Sequence, residues 1–205
     1  MFGVSLPIMG RPKAVKSKQF IIEKTAPIFN IKGVAATGMS DIMEVTKMAK
    51  GSMYTHFENK EDLAYQVVDF YLKQHFVNAA AATSKHGKAK DKFFAYLDVL
   101  KDPVNHPIEG GCPMLNFGME ADDTNPIIRE KVRNAMEEAQ LEIVALLRKG
   151  VVEGEFVEDW DIEEFAVQVF AMLEGGVLMS RVYGDSSAMR VLLTILKREV
   201  EKQLK

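Results

Sequence analysis

Residues 34–63, VAATGMSDIMEVTKMAKGSMYTHFENKEDL, constrain the fold of this 205-residue chain more narrowly than any other stretch. Apolar residues recur every three positions from 39 to 45, as on one face of a short helix that Thr37 would cap. A break follows at 47–49, and a second short helix is predicted at about residues 49–56. Two short helices joined by a tight turn, with basic and small side chains on the second, are typical of a helix-turn-helix.

The charge of the chain is divided between its two ends. Residues 1–60 contain nine Lys and Arg against four Asp and Glu, whereas residues 61–205 contain seventeen against twenty-five. A basic end on an acidic remainder is typical of a protein that presents one end to phosphate. A basic face that meets only solvent gives the same count, so charge alone leaves both interpretations open.

Composition places the chain among folded proteins of a reducing compartment. Hydrophobic residues make up 47% and charged residues 27%, which predicts a real core. No apolar run reaches the length of about 18–20 residues that spans a bilayer. Cys112 is the single cysteine, so no internal disulfide can form. We therefore expect a cytoplasmic protein with no membrane partner.

Helical periodicity accounts for the rest of the chain, and no strand pattern stands out. The first helix is predicted at 15–32, with a kink expected at Pro27. A long helix capped by Asn59 runs to about residue 82. The remaining predicted helices lie at about 88–100, 114–119, 126–150, from 161 onward and at 186–204, which makes an all-α chain of about nine helices.

The helix-turn-helix stretch resembles the DNA-binding region of the TetR family of bacterial transcriptional regulators. The similarity extends from the first helix to the start of the long one, and residues 111–116 resemble a short G-C-x-x-x-N element of some members. The positions that match the family pattern, by identity or by conservative substitution, are Thr37, Asp41, Ile42, Gly51, Ser52, Met53, Tyr54, His56, Phe57, Asn59, Lys60, Glu61 and Leu63.

Three positions depart from the family pattern. Lys47 stands where the turn glycine is usual, so this position either avoids a positive φ or stores strain. Ala49 replaces the hydroxyl or acidic cap of the second short helix, at a cost of about 1 kcal/mol. Gly38 weakens the first turn of the helix before it. These changes affect local caps and leave the fold prediction intact.

The resemblance implies a transcriptional regulator in two parts. The implied domains are a flexible basic arm at 1–14, a helix-turn-helix domain at 15–59 and a helical ligand-binding and dimerisation domain at 60–205. The implied action is that of a homodimeric repressor, released from a palindromic DNA operator by a small hydrophobic or aromatic effector. An enzyme is not expected, because the four histidines lack metal-ligand spacing and no Gly-rich phosphate loop occurs. No cofactor is expected either.

The second short helix holds few side chains that can read bases. Residues 48–57 contain no Asn, Gln or Arg, which leaves Lys50 as the candidate for a guanine contact. Phe57 is expected to pack behind this helix. The predicted DNA-contact residues are Thr37, Lys50, Gly51, Ser52, Tyr54, Thr55, His56 and Lys60, of which Tyr54, His56 and Lys60 resemble the family's phosphate contacts.

Two of these residues could instead have a purely structural role. Tyr54 could instead pack the corner, and His56 could make only a local hydrogen bond. The cations Lys13, Lys16 and Lys18 either add charge against the DNA backbone or are simply solvated.

The resemblance also implies an effector pocket between the fourth and eighth helices. Flexible Met and aromatic side chains there suit such a pocket, although an ordinary core has the same composition. The predicted ligand-contact residues are Phe93, Phe94, Leu97, Met114, Phe117, Met136, Phe170 and Leu173. The eighth helix is apolar on two sides, so a second chain is expected to cover one of them. The predicted dimer residues are Phe165, Val169, Leu173, Gly176, Val177, Leu192, Leu193 and Leu196.

Cys112 admits two interpretations. It is either a small buried hydrophobe or a thiol activated by the start of the following helix. The second interpretation gives an alternative function, a redox or electrophile sensor on the same scaffold. A sequence-independent DNA-binding protein is a further alternative, since it needs only a basic surface.

Overall fold

The computed structural model describes the backbone of residues 13–205 and the side chains from residue 17 onward. The predicted arm at 1–14 therefore lies almost wholly outside the described residues, as do the side chains of Lys13 and Lys16. The described part folds as helices joined by turns, which confirms the all-α prediction. Its helices are α1 (Lys13–Lys32), α2 (Met39–Thr46), α3 (Lys50–Met53), α4 (Lys60–Thr83), α5 (Ala89–Asp98), α6 (Pro113–Ala121), α7 (Pro126–Val152), α8 (Ile162–Tyr183) and α9 (Ser187–Lys202).

Helices α1 to α3 form a head, and α4 to α9 form a body. Helix α1 continues through Pro27 and ends at Gly33, where φ is 87°. The Gly33 amide donates a hydrogen bond to the Phe29 carbonyl at 2.9 Å, which closes the last turn. Ile21 and Phe29 are fully buried and hold α1 against the neighbouring helices.

The start of α2 differs from the prediction. The helix is capped by Gly38 rather than by Thr37. Thr37 is buried, and its hydroxyl donates to the Gly33 carbonyl at 2.6 Å. The Asp41 carboxylate accepts a hydrogen bond from the Gly38 amide at 2.8 Å and so supplies the capping contact from inside the helix.

In the turn between α2 and α3, Lys47 does not avoid a positive φ. Lys47 adopts the left-handed conformation with φ at 54°, so the turn is made at the energetic cost that a side chain incurs there. Ala49 begins α3 without a side-chain cap, as its residue type requires.

Helix α4 leaves the head through a reciprocal cap. The Asn59 side chain accepts from the Asp62 amide at 2.8 Å, and the Asp62 carboxylate accepts from the Glu58 amide at 3.1 Å. This second contact lies one residue earlier than in a standard capping box, and both contacts fix where the head ends.

Two core clusters fill the described part of the chain. The first joins the head to α4, α6 and the first half of α7, and the second joins α5, the second half of α7, α8 and α9. Ile21, Leu63 and Phe117 represent the first cluster, whereas Leu147 and Val169 represent the second. Helices α4, α7 and α8 contribute to both clusters, so these three helices connect the two parts of the core.

Helix α8 is long and apolar enough to cross a membrane by length and composition alone. Of its most apolar stretch, 44% is buried inside the chain, and a single helix of this kind is weak evidence for a membrane span. Its inner side packs on α9 and its outer side is exposed.

Candidate DNA-binding surface and effector site

The outward side of α3 and the turn after it brings together most of the predicted DNA-contact residues. Met53 is only 2% exposed and anchors α3 to the head, so the residues around it face outward. Phe57 is also buried, as the sequence predicted. The exposed residues of this surface, which we call the α3 surface, are Lys50, Gly51, Ser52, Tyr54 and Thr55.

Side-chain contacts organise the α3 surface. The Lys50 ammonium lies 5.9 Å from the centre of the Tyr54 ring, a cation–π contact worth about 0.5–1 kcal/mol at an exposed site. The Thr55 hydroxyl donates to the Ser52 carbonyl at 2.7 Å, so the oxygen remains free to accept. This arrangement offers one cation and several hydroxyl groups on a small exposed surface, and such groups can contact base edges.

Three other predicted contacts lie in different settings. Thr37 is buried and bonded within the head, so it supports α2 instead of facing outward. The Lys60 ammonium lies 3.5 Å from the Ala35 carbonyl at the head's edge. His56 is half-buried with its ring edge toward Phe57, and Lys18 has its ammonium 5.3 Å from the Phe57 ring.

The predicted effector residues do not come together in one place. Met114, Phe117, Met136 and Phe170 belong to the first core cluster or pack against it. The other four, Phe93, Phe94, Leu97 and Leu173, belong to the second or pack against it. Most of the eight are buried in one cluster or the other, and Phe93 also lines a pocket between α4, α5 and α7.

Polar side chains lie instead where the two clusters meet. Cys112 packs against both clusters, and its thiol donates to the Glu174 carboxylate at 3.0 Å. The second Glu174 oxygen is buried without a hydrogen-bond partner, and so is Nε2 of His75. The His75 ring meets the Tyr96 ring edge to face at 6.4 Å. We call Glu174, Cys112, Tyr96 and His75 the junction cluster.

Burial controls the protonation of the junction cluster. It lowers the pKa of His75 to about 4, so the imidazole is uncharged at neutral pH. It also raises the pKa of Cys112 well above its usual range, and neighbouring Glu174 raises it further. The amides at the start of α6 act in the opposite direction with a smaller effect. Cys112 is thus a protonated thiol, which favours the buried-hydrophobe interpretation over the reactive one.

Sequence reasoning missed His75 and Glu174. Glu174 stands among Met172, Leu173 and Gly175 on α8, and an acidic residue within so apolar a helix is a signal that could have found it.

A buried amide pair joins the head to the body. The Asn116 side chain donates to the Asn30 carbonyl at 3.0 Å and to the Gly110 carbonyl at 2.9 Å. The Asn30 side chain donates in turn to the Glu109 carbonyl at 2.7 Å and to the Gly111 carbonyl at 3.0 Å. Helix α1 is therefore bonded to the segment that leads into α6, and this accounts for the G-C-x-x-x-N element.

Two local features make this attachment close. Gly110 has φ at 94°, and a Cβ there would lie 3.0 Å from the Asn30 carbonyl oxygen. On the other side of α6, the Glu120 carboxylate accepts from the Val34 and Ala35 amides at 2.9 and 2.7 Å. Helix α6 thus holds both the end of α1 and the turn that leads into α2.

The predicted dimer residues need correction. Phe165, Val169 and Leu173 of α8 are at most 5% exposed within one chain. Gly176, Val177, Leu193 and Leu196 are likewise buried, and Leu192 is half-buried. The periodicity identified two apolar sides of α8 but not which one the chain itself covers. The exposed apolar residues on α8 and α9, here called the outer face, are Val167, Leu178, Met179, Val182, Tyr183 and Val191.

Comparison with protein-family models matches both parts of the chain. Residues 21–67 match the family described as bacterial regulatory proteins, tetR family. Residues 89–196, more than half of the chain, match the tetracyclin repressor-like C-terminal domain.

Known proteins agree over nearly the full length. A TetR transcriptional regulator from Chloroflexus aurantiacus J-10-FL is 33% identical, with 94% of this chain and 98% of that one covered and a TM-score of 0.89. A TetR family regulator from Cytophaga hutchinsonii is 30% identical, with 95% and 98% covered and the same TM-score. The HTH-type transcriptional repressor DhaR of Mycobacterium sp. (strain GP1) is 21% identical over 184 residues, 87% of this chain and 89% of the relative.

Proposed function

The chain belongs to the TetR family of bacterial transcriptional regulators, and on that premise we propose that it is a repressor released from its operator by a small effector. It is a transcriptional regulator and not an enzyme. Regulators of this family bind DNA and usually act as dimers. The observation that carries the proposal is the α3 surface, which presents a cation and hydroxyl groups on a helix anchored from behind by Met53.

The proposed division of labour follows the two parts of the chain. Residues 15–59 bind DNA through the α3 surface, with Lys50 reading guanine and with Tyr54, His56 and Lys60 meeting phosphate. Residues 60–205 bind the effector and the second protomer. The protein works in the cytoplasm, where its DNA lies.

Replacing Lys50 with alanine tests the DNA proposal. We expect the variant to lose about tenfold or more in affinity for an operator duplex selected from a random pool, because a good base contact is worth about 1–3 kcal/mol. Its affinity for unselected duplex should fall far less. Both affinities are measured by fluorescence anisotropy at one fixed salt concentration.

The matched control is Lys47→Ala, which removes an exposed cation from the turn before α3. This variant should change both affinities by similar factors. Equal losses on the two duplexes for Lys50→Ala would reduce Lys50 to a phosphate contact.

The outer face supports a dimer that pairs α8 and α9 of two chains. Val182 is 72% exposed, and Leu178 lies one turn away at 53%. Apolar residues grouped in this way on two adjacent helices are typical of a surface that another chain covers. A dimer of this kind would bind half-sites about 34–36 Å apart, or at a related spacing.

Replacing Val182 with glutamate should shift the protein from dimer to monomer in sedimentation velocity. The carboxylate would face its own copy across a two-fold interface, where like charges repel and desolvation is costly. The control is Val152→Glu at the end of α7, where the valine is 86% exposed and lies off the outer face. A Val182→Glu protein that sediments as a dimer at micromolar concentration would rule out this interface.

A further inference from the structure

We propose that the effector is a small arylalkyl amine whose ammonium group pairs with Glu174 of the junction cluster, an inference that rests on the proposed function of the body as an effector-binding unit.

The Glu174 carboxylate lacks a full set of hydrogen-bond donors. One Glu174 oxygen accepts from the Cys112 thiol, a weak donor, and the other is buried without a partner. Burial raises the pKa of this carboxyl group, and its second oxygen is without a hydrogen-bond partner. A buried polar group in this state costs about 1–3 kcal/mol, and more when it is charged. A ligand that donates hydrogen bonds removes this cost when it binds.

Space for a ligand lies next to Tyr96 of the junction cluster. A pocket of about 260 Å³ lies between α4, α5 and α7. It is smaller than the range of about 300–1,000 Å³ that is usual for drug-sized ligands, so it suits a single ring with a short chain. Its lining is mostly apolar and includes Ala79, Ala80, Phe93, Ile143, Ala145 and Leu146.

Tyr96 connects this pocket to Glu174. Its side chain lines the pocket, and its ring meets that of His75. The pKa of its phenol is raised by burial and then by Glu142, which lines the pocket, and by Glu174 and Cys112 of the junction cluster. Tyr96 is therefore the residue that links the pocket to the junction cluster, and in this proposal the ligand displaces its side chain to pair with Glu174.

The ionisable groups around Tyr96 determine which ligand charge is favoured. Glu142 and Glu174 are the carboxyl groups near Tyr96, and the groups facing them from α4 and from the start of α6 are the uncharged His75 and the protonated Cys112. No Lys or Arg is among the pocket's lining residues. Burial raises the pKa of Glu174 and of Glu142, so each carboxylate gains from a cation beside it. A primary ammonium brings three donors and one positive charge to these carboxyl oxygens, whereas an anionic ligand brings neither.

Cys112 connects the junction cluster to the segment that is bonded to the head. Cys112 is the residue immediately before α6, next to the Gly110–Gly111 segment that Asn30 and Asn116 bond. An ammonium that draws Glu174 away from Cys112 releases a hydrogen bond that ties the start of α6 to α8. The proposal thus assigns the effector a direct route to α1.

The test measures binding of phenethylamine and of phenethyl alcohol to the full-length protein by isothermal titration calorimetry at neutral pH. The two probes share the ring and the chain, and only the amine is charged. We expect the amine to bind about tenfold tighter or more, as for a buried charge that gains its partner. Glu174→Gln should abolish this preference, because the amide cannot carry the negative charge.

The matched control is Glu138→Gln. Glu138 is exposed on α7 one turn from Glu142, and it does not line the pocket. This variant loses the same charge and should keep the preference for the amine. Binding of both variants to the selected operator duplex verifies that each is folded; should Glu174→Gln not fold, the comparison of the two probes on the unaltered protein decides the question.

Several outcomes would overturn the inference. Equal affinity for the two probes, no binding of the amine, or a preference that survives Glu174→Gln would each do so. The proposed function is tested separately, because it requires only that the protein without any probe prefers its selected operator to unselected duplex.

Discussion

Replacing Asn116 with alanine is expected to lower the free energy of unfolding by about 1–3 kcal/mol, because it leaves two partly buried carbonyl groups without a donor. These are the carbonyls of Asn30 and Gly110, which both accept from the Asn116 side chain. The loss is measured by urea unfolding monitored by circular dichroism. Amide hydrogen exchange should also accelerate at the end of α1, where the head would be less firmly held to the body.

The control for this variant is Asn134→Ala. Asn134 is exposed on α7, where alanine has the better helix propensity, so stability should change little or rise slightly. If Asn116→Ala changed stability by less than about 0.5 kcal/mol, as surface substitutions do, the amide pair would not join the head to the body.

The same variant separates DNA binding from its regulation. The α3 surface does not include Asn116, so the full-length variant should keep its preference for the selected operator. Release by an effector should weaken, because α6 would no longer be bonded through the Asn116 side chain to the Asn30 and Gly110 carbonyls. A coupling free energy between two sites needs an element that both sites bias, and this segment is the candidate.

The head could be predicted from sequence because its signals are local. The cap at Asn59, the terminator at Gly33 and the break before Ala49 are each decided by residues within a few positions. The wrong cap at Thr37 has a local cause too, since the Gly38 amide is bonded by Asp41 from within the helix.

The body could be predicted only in outline because its polar contacts are long-range. Asn30 and Asn116 are 86 positions apart, and so are Val34 and Glu120. Nothing in the spacing of amide or acidic residues indicates such partners. The effector residues stay a prediction for another reason: a periodic Met and aromatic stripe has the same appearance in a pocket and in a core.

Replacing Gly150 with alanine should destabilise the protein by about 2 kcal/mol net, although alanine is the better helix former. A Cβ at Gly150 would lie 2.4 Å from the Phe156 ring and 2.7 Å from the Ala89 Cβ. Phe156 is fully buried, so its ring has little room to move away. The melting temperature, measured by calorimetry, should fall by about 4–8 °C for a chain of this size.

Gly175→Ala provides the control with the opposite sign. A Cβ at Gly175 meets nothing within 4 Å, so the gain in helix propensity of about 1 kcal/mol should appear as stabilisation. Equal effects at Gly150 and Gly175 would mean that the contact between α7 and Phe156 is loose. That contact matters for the effector proposal, because Ala89 begins α5, the helix that carries Phe93 and Tyr96 to the pocket. A Gly150→Ala protein that is folded at low temperature should therefore bind phenethylamine more weakly, while Gly175→Ala should bind it normally.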